Sequence, residues 1–307
     1  MTLRLAILCV ALAPAAARAD ERAPSARDPG ASLSQAFAGP FVSPRLFAMP
    51  VADVVGAYRA SVSYDGSLLR QPGVLSSAGV VAIGVGDLAQ LEYRHTSAIG
   101  AGRIVAPVPA VGVQVKLPLP ERRYLPALGV AFRLGLPRRE RVDGVAIDET
   151  VTDLYAVAGI ALGGRRARVT AHAGLRVSTA VAAIDGAGDA RRLLWLPAVG
   201  IAVAANDRTD WIAEFGAVPS FRVDNGAAAV GVGATARAGI RWRIVPAATI
   251  DASLGYRIES AAVDGPAARG ARAVVDWDIR VGGELHVPWG ALVCRAAGLF
   301  CSRRRDE

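Results

Sequence analysis

The chain has 307 residues, 35 Lys and Arg against 27 Asp and Glu, and is 52% hydrophobic but only 6% aromatic. After its first stretch it holds no run of about 18 uncharged apolar residues, which excludes spanning a membrane with helices. The basic residues are spread along alternating segments without clustered aromatics, which excludes a nucleic-acid partner.

Residues 1–19, MTLRLAILCVALAPAAARA, read as a secretory signal peptide, with basic Arg4, an apolar run from Leu5 to Ala17 and small residues around the Ala17-Arg18-Ala19 end. The run is too short for a spanning helix, and Cys9 lies too deep in it for a lipoprotein anchor. Removal of the signal leaves 33 basic groups, of which Lys116 is the only lysine. Residues 20–53 are rich in Pro, Ala, Ser and Gly without a sustained period, and predict a periplasmic arm or a plug.

From Val54 the chain alternates apolar and polar residues, the period of a half-buried strand. Predicted strands run 54–64, 77–85, 88–97, 110–117, 124–136 and 150–162 in the first half. The clearest, RVTAHAGLRVST over 168–179, sets Arg168, His172 and Arg176 against Val169, Leu175 and Val177. Five more follow at 191–204, 211–223, 230–244, 249–260 and 273–287. The connections alternate long and short, including a charged loop PRRERVDGVAID and a loop near Asp185–Asp189.

About twelve strands of roughly ten residues, with alternating connection lengths, predict an all-β fold: an antiparallel up-and-down transmembrane β-barrel over residues 54–288. A soluble sandwich has no reason to keep that rhythm, and its core would want larger side chains than the Ala, Val and Leu found here. An even strand number places both termini on one side, and long first and last connections make that side the periplasm of a Gram-negative bacterium. Trp211, Trp242 and Trp289 fall near short-turn ends and Trp195 and Trp277 near long-loop ends, the pattern of two interfacial girdles.

The polar face predicts a charged lumen, with Arg168, His172, Arg176, Arg237, Arg241, Arg243, Arg257 and Arg280 along the path. Acidic residues on the same face offer cross-strand partners, so the lumen is either a closed ion-pair network or a narrow pore favouring anions. The expected role is passive transport or envelope structure, without enzymatic activity, cofactor or metal. The expected partners are outer-membrane lipid, the barrel-assembly machinery, and an anionic solute or polysaccharide.

YRHTSAIG over 93–100 resembles the His-x-Ser-Asn-Gly segment of outer-membrane phospholipase A, with Ala98 and Ile99 in place of Asn and Gly. The resemblance implies an alternative, a lipid hydrolase using Ser97 as nucleophile and His95 as base; two apart on a strand, they share a face. No carboxylate and histidine constellation matching the omptin proteases occurs. RLFAMPVADVVGAYRASVSYDGSLL, with Met49-Pro50-Val51-Ala52, followed by GVVAIGVGDLAQLEYRHTS, is similar to the opening hairpins of exopolysaccharide-secretion barrels. It implies a polysaccharide partner. Residues 289–307 extend past the last strand as a periplasmic tail, where Cys294 and Cys301 can close a disulfide loop.

Overall fold

The structure, a computed structural model, describes residues 45–69, 75–100, 103–119, 126–135, 138–142, 145–162, 168–184, 188–224, 227–259 and 274–290. They form thirteen strands: β1 (Ala60–Leu69), β2 (Leu75–Val85), β3 (Ala89–Gly100), β4 (Arg103–Lys116), β5 (Ala127–Gly135), β6 (Arg138–Val142), β7 (Val145–Leu162), β8 (Val169–Ile184), β9 (Gly188–Ala204), β10 (Thr209–Asp224), β11 (Ala227–Val245), β12 (Ala248–Glu259) and β13 (Val274–Val287).

Each strand pairs antiparallel with the next, and β1 closes on β13 from Ala60↔Val287 to Leu69↔Asp278. Both β5 and β6 pair with β7, the first from Ala127↔Gly159 to Leu134↔Thr152 and the second from Arg138↔Glu149 to Val142↔Val145. They are two lengths of one stave, parted in sequence by residues 136 and 137, which lie outside those described. The result is a closed barrel of twelve staves. No described helix is long and apolar enough to cross a membrane.

The two faces of the wall differ in chemistry. On β3, Gln90, Glu92 and Arg94 are at most 7% exposed, whereas Leu91 and Tyr93 are 54% and 46% exposed. The same division recurs around the cylinder, with Tyr64, Ile83, Val113, Phe132, Leu154, Val199, Phe215, Ile250, Leu254 and Val281 all exposed on the outer face. An apolar belt continuous around a protein is far larger than the patches water tolerates, and lipid is the solvent that wets it. The fold is therefore a transmembrane β-barrel of the outer-membrane type.

Several boundaries differ from those predicted. The first strand starts at Ala60, not Val54, because Tyr58 adopts a positive φ of 56° that breaks the extended chain. The long loops shrink because the strands grow: β8 reaches Ile184 and β9 resumes at Gly188, and PRRERVDGVAID becomes the β6–β7 hairpin. The nineteen residues of β11 make about 60 Å of strand at roughly 3.3 Å each, well beyond a ~25 Å apolar belt even with a tilt of about 40°. Beyond the lipid both faces meet water, so the ladder continues while the alternation that betrays it fades.

Leu254 lies mid-strand on the outer face of β12, so Leu254→Arg should destabilise the barrel by about 2–4 kcal/mol. Ala205→Arg, in the exposed β9–β10 turn, should stay within about 0.5 kcal/mol. Urea unfolding in lipid vesicles distinguishes the two.

Candidate functional site

The lumen holds a segment of the chain itself. Leu46, Phe47, Met49, Val51 and Ala52 are buried, with Phe47 wholly inaccessible, and they pack on Ala131, Tyr155, Val157 and Ile212 of the inner wall. Arg45 and Pro50 bridge across a tight turn, and the Leu46 amide donates to the Met49 carbonyl at 2.9 Å. The turn presents three consecutive amides to one carboxylate. Phe47, Ala48 and Met49 N–H donate to Glu214 of β10 at 2.9–3.1 Å. Such convergent, charge-assisted bonds are the strong class of protein hydrogen bond.

Other staves hold the rest of the segment by its backbone. Arg241 of β11 donates Nη1 to the Arg45 carbonyl at 2.8 Å and Nη2 to the Leu46 carbonyl. Gln114 of β4 donates to the carbonyls of Val51 and Asp53 at 2.8 and 2.7 Å, and Gln90 of β3 accepts from the Val55 amide at 2.6 Å. Asp87, in the β2–β3 turn, accepts from Ala57 N–H at 3.0 Å. Gly84 on β2 lets the segment lie against the wall, since a Cβ there would come within 2.3 Å of both the Val55 and Gly56 carbonyl oxygens. Tyr58 then turns the chain out to the rim, where its ring meets Trp289 edge-on at 5.7 Å.

The charges of the lumen are interleaved. Arg45 and Asp65 form a fully buried pair at 2.7 Å, and Arg241 also reaches Asp251 at 3.3 Å. Arg237 grips both oxygens of Asp278 at 2.7 Å across β12, where Gly255 is required because a Cβ would fall 2.2 Å from Asp278 Oδ1. Arg133 stands 3.9 Å from Glu92 and 3.7 Å from Asp153, which also lies 3.9 Å from Arg176 and accepts from Ser178. Burying such charges is costly unless each has partners, and here the wall supplies them from neighbouring staves.

Of the residues placed along the path by the sequence, Arg176 and Arg280 are buried inside, and Arg237 and Arg241 are half-buried there. His172 is half-buried in the wall beside Gly159. Arg168 and Arg243 instead stand exposed at the short-turn rim, facing Asp207 and its carbonyl, because each sits at a strand end where the wall gives way to water. The side chain of Arg257 lies outside those described. Trp195, Trp211 and Trp242 are exposed on the outer face, while Trp277 and Trp289 are half-buried. His95 is exposed on the outer parity of β3. The Ser97 side chain and both Cys294 and Cys301 fall outside the described residues.

The latch residues Glu214, Gln90 and Gln114 were not singled out by sequence patterning, since an inward polar residue looks the same whether it faces water or a backbone. A signal did exist on β9. From Leu193 to Ala204 it carries no charge on either face, the mark of a strand buried on both sides.

No protein-family model and no curated protein matches the chain. Similar solved structures include the NanC porin, at 8% identity and TM-score 0.48, covering 73% of this chain and 98% of that one. The translocator domain of the autotransporter NalP from Neisseria meningitidis is 13% identical with TM-score 0.45, covering 74% and 87%. The outer membrane protein Omp33 of Acinetobacter baumannii is 9% identical with TM-score 0.39, covering 75% and 98%. The likeness is one of barrel architecture.

Replacing Glu214 by Ala orphans three amides, and losing even one charge-assisted bond is worth about 1.5 kcal/mol, roughly tenfold in an opening equilibrium. With Met49→Cys as reporter and Cys294 and Cys301 changed to Ser, Glu214→Ala should speed labelling by a water-soluble thiol reagent at least tenfold. Equal labelling rates would show that the carboxylate does not hold the segment.

Proposed function

We propose that the protein is an outer-membrane transport barrel whose axial path is closed at rest by residues 45–57, and that release of this segment opens a passage for small anionic solutes. The observation that carries this is the grip on the Leu46–Met49 turn, whose amides are held by Glu214 of β10 and whose carbonyls are held by Arg241 of the adjoining β11. A segment that merely filled space would need apolar contact alone. Here dedicated polar groups from β3, β4, β10 and β11 meet a backbone that supplies both donors and acceptors, in addition to the apolar contacts of Leu46, Phe47 and Met49.

Withdrawal of the turn exposes Arg241 to the passage, with Arg237 and Arg280 on nearby staves, and these guanidinium groups are the recognition elements for an anion. The ends of the barrel sequence, Ala60 and Val287, are paired at one rim, and we place that rim in the periplasm. The segment would then be reachable from the periplasmic side.

The test is planar-bilayer conductance of the signal-free protein. Wild type should be silent for most of the record. Glu214→Ala combined with Gln114→Ala, which frees the segment and keeps Arg241, should give discrete steps, and in a salt gradient its reversal potential should move toward the anion equilibrium potential. A wild type already conducting as fully as the double variant would exclude the segment as a gate, and cation preference would exclude the anionic path.

A further inference from the structure

The ladder between β9 and β10 stops inside the apolar belt. It runs from Asp210↔Ala204 to Gly216↔Ala198, seven rows, whereas a stave needs about 9–11 residues to cross lipid. Both strands continue beyond it, β9 back to Gly188 on its β8 partner and β10 on to Asp224 on its β11 partner. Pro197, which has no amide hydrogen, is the first β9 residue past the last row, and two residues further on Trp195 points outward and is 62% exposed. About 10 Å of strand thus separates the end of the ladder from the tryptophan that marks the belt's edge.

Beyond that row the β10–β11 leaf folds over the inner wall. Val230 of β11 packs directly with Ala180, Ala182, Leu194 and Leu196 of β8 and β9, passing over β10, which belongs between them. The β4–β5 ladder is equally short. What sets the β9–β10 seam apart is the cavity behind it, about 60 Å³ in volume. A water needs about 10–15 Å³ of such space, so the cavity takes a head group of a few heavy atoms and not a whole small molecule.

The cavity joins two environments. Its lining includes Ala198, Ala217 and Phe215, the last exposed on the lipid face, with Leu196 fully buried behind them. Its polar lining includes Arg133, Arg176, Tyr155 and Glu214; the first three are no more than 8% exposed, both arginines also face Asp153, and the Tyr155 hydroxyl has no hydrogen-bond partner among the described residues. The docked turn, through Met49 and its neighbours, forms the floor. A buried donor left unmade beside two guanidinium groups, at the end of an apolar channel, suits an anionic oxygen carried on an apolar body.

We propose that the β9–β10 seam is a lateral portal from the bilayer, and that the cavity behind it takes the anionic head of a single-chain amphiphile of the long-chain carboxylate class, whose chain stays in the lipid. The carboxylate accepts from Tyr155 and Arg176 while the chain lies along Phe215 on the lipid face. The inference rests on the membrane barrel and not on axial conduction, so either can fail without the other.

The experiment uses the full signal-free chain in phosphatidylcholine vesicles, with Trp211, Trp242, Trp277 and Trp289 changed to Phe so that Trp195 reports alone. Dibromostearate should quench Trp195 saturably, at mole fractions where dibromophosphatidylcholine and dibromophosphatidylglycerol give only the shallow quenching of surrounding lipid. Ala217→Phe, which fills the mouth, should abolish the saturable part. Arg176→Gln should weaken dibromostearate about tenfold and leave the uncharged dibromostearyl alcohol unchanged. Variants are compared as folded, heat-modifiable barrels. Quenching by dibromostearate no greater than by the phospholipids, or insensitive to Ala217→Phe, overturns the portal; preference for dibromophosphatidylglycerol overturns the single-chain ligand; equal loss of acid and alcohol overturns the anionic head.

Discussion

Hydrocarbon offers no hydrogen bonds, and everything in this structure follows from how the chain answers that constraint. A backbone amide left bare in lipid costs several kcal/mol, so a sheet can cross only by closing on itself. The pairing of β1 with β13 removes the last edge. Closure in turn creates an interior shielded from lipid, and it is only there that Arg45, Asp65, Asp251 and Glu284 can sit together out of the solvent that surrounds the wall. At the β9–β10 seam one cavity is lined both by Phe215 of the belt and by Arg133 and Arg176 of the interior.

The barrel itself was legible because lipid imposes a strict period of two. Wherever a strand crosses the belt, as in Leu91, Tyr93 and their polar neighbours on β3, the sequence alternates and the strand can be counted. Where lipid ends, the code lapses. The β6–β7 hairpin and the outer reaches of β8 to β11 are strand by hydrogen bonding but loop by composition, since water on both faces selects for neither.

The site was less legible for a different reason. Sequence patterning tells inside from outside, but not what occupies the inside. Arg241 and Arg176 were placed on the inner face by alternation, yet Glu214 carries the same pattern and does a different job, because its partner is a backbone turn some 165 positions earlier in the chain. Backbone partners leave no trace in residue types. Only the absence of charge from Leu193 to Ala204 hinted that part of the lumen is dry.

The docking groups for residues 45–57 come from both ends of the chain: Gln90 and Gln114 from staves made early, Glu214 and Arg241 from staves made late. The full grip on the segment is available only once the cylinder is complete, so docking of the segment records that closure has happened. A segment that must end up within a sealed wall also fixes an order of assembly. Either it is carried inside as the wall curls around it, or it is drawn in afterwards through the rim, with Tyr58 as the pivot that joins it to the first stave.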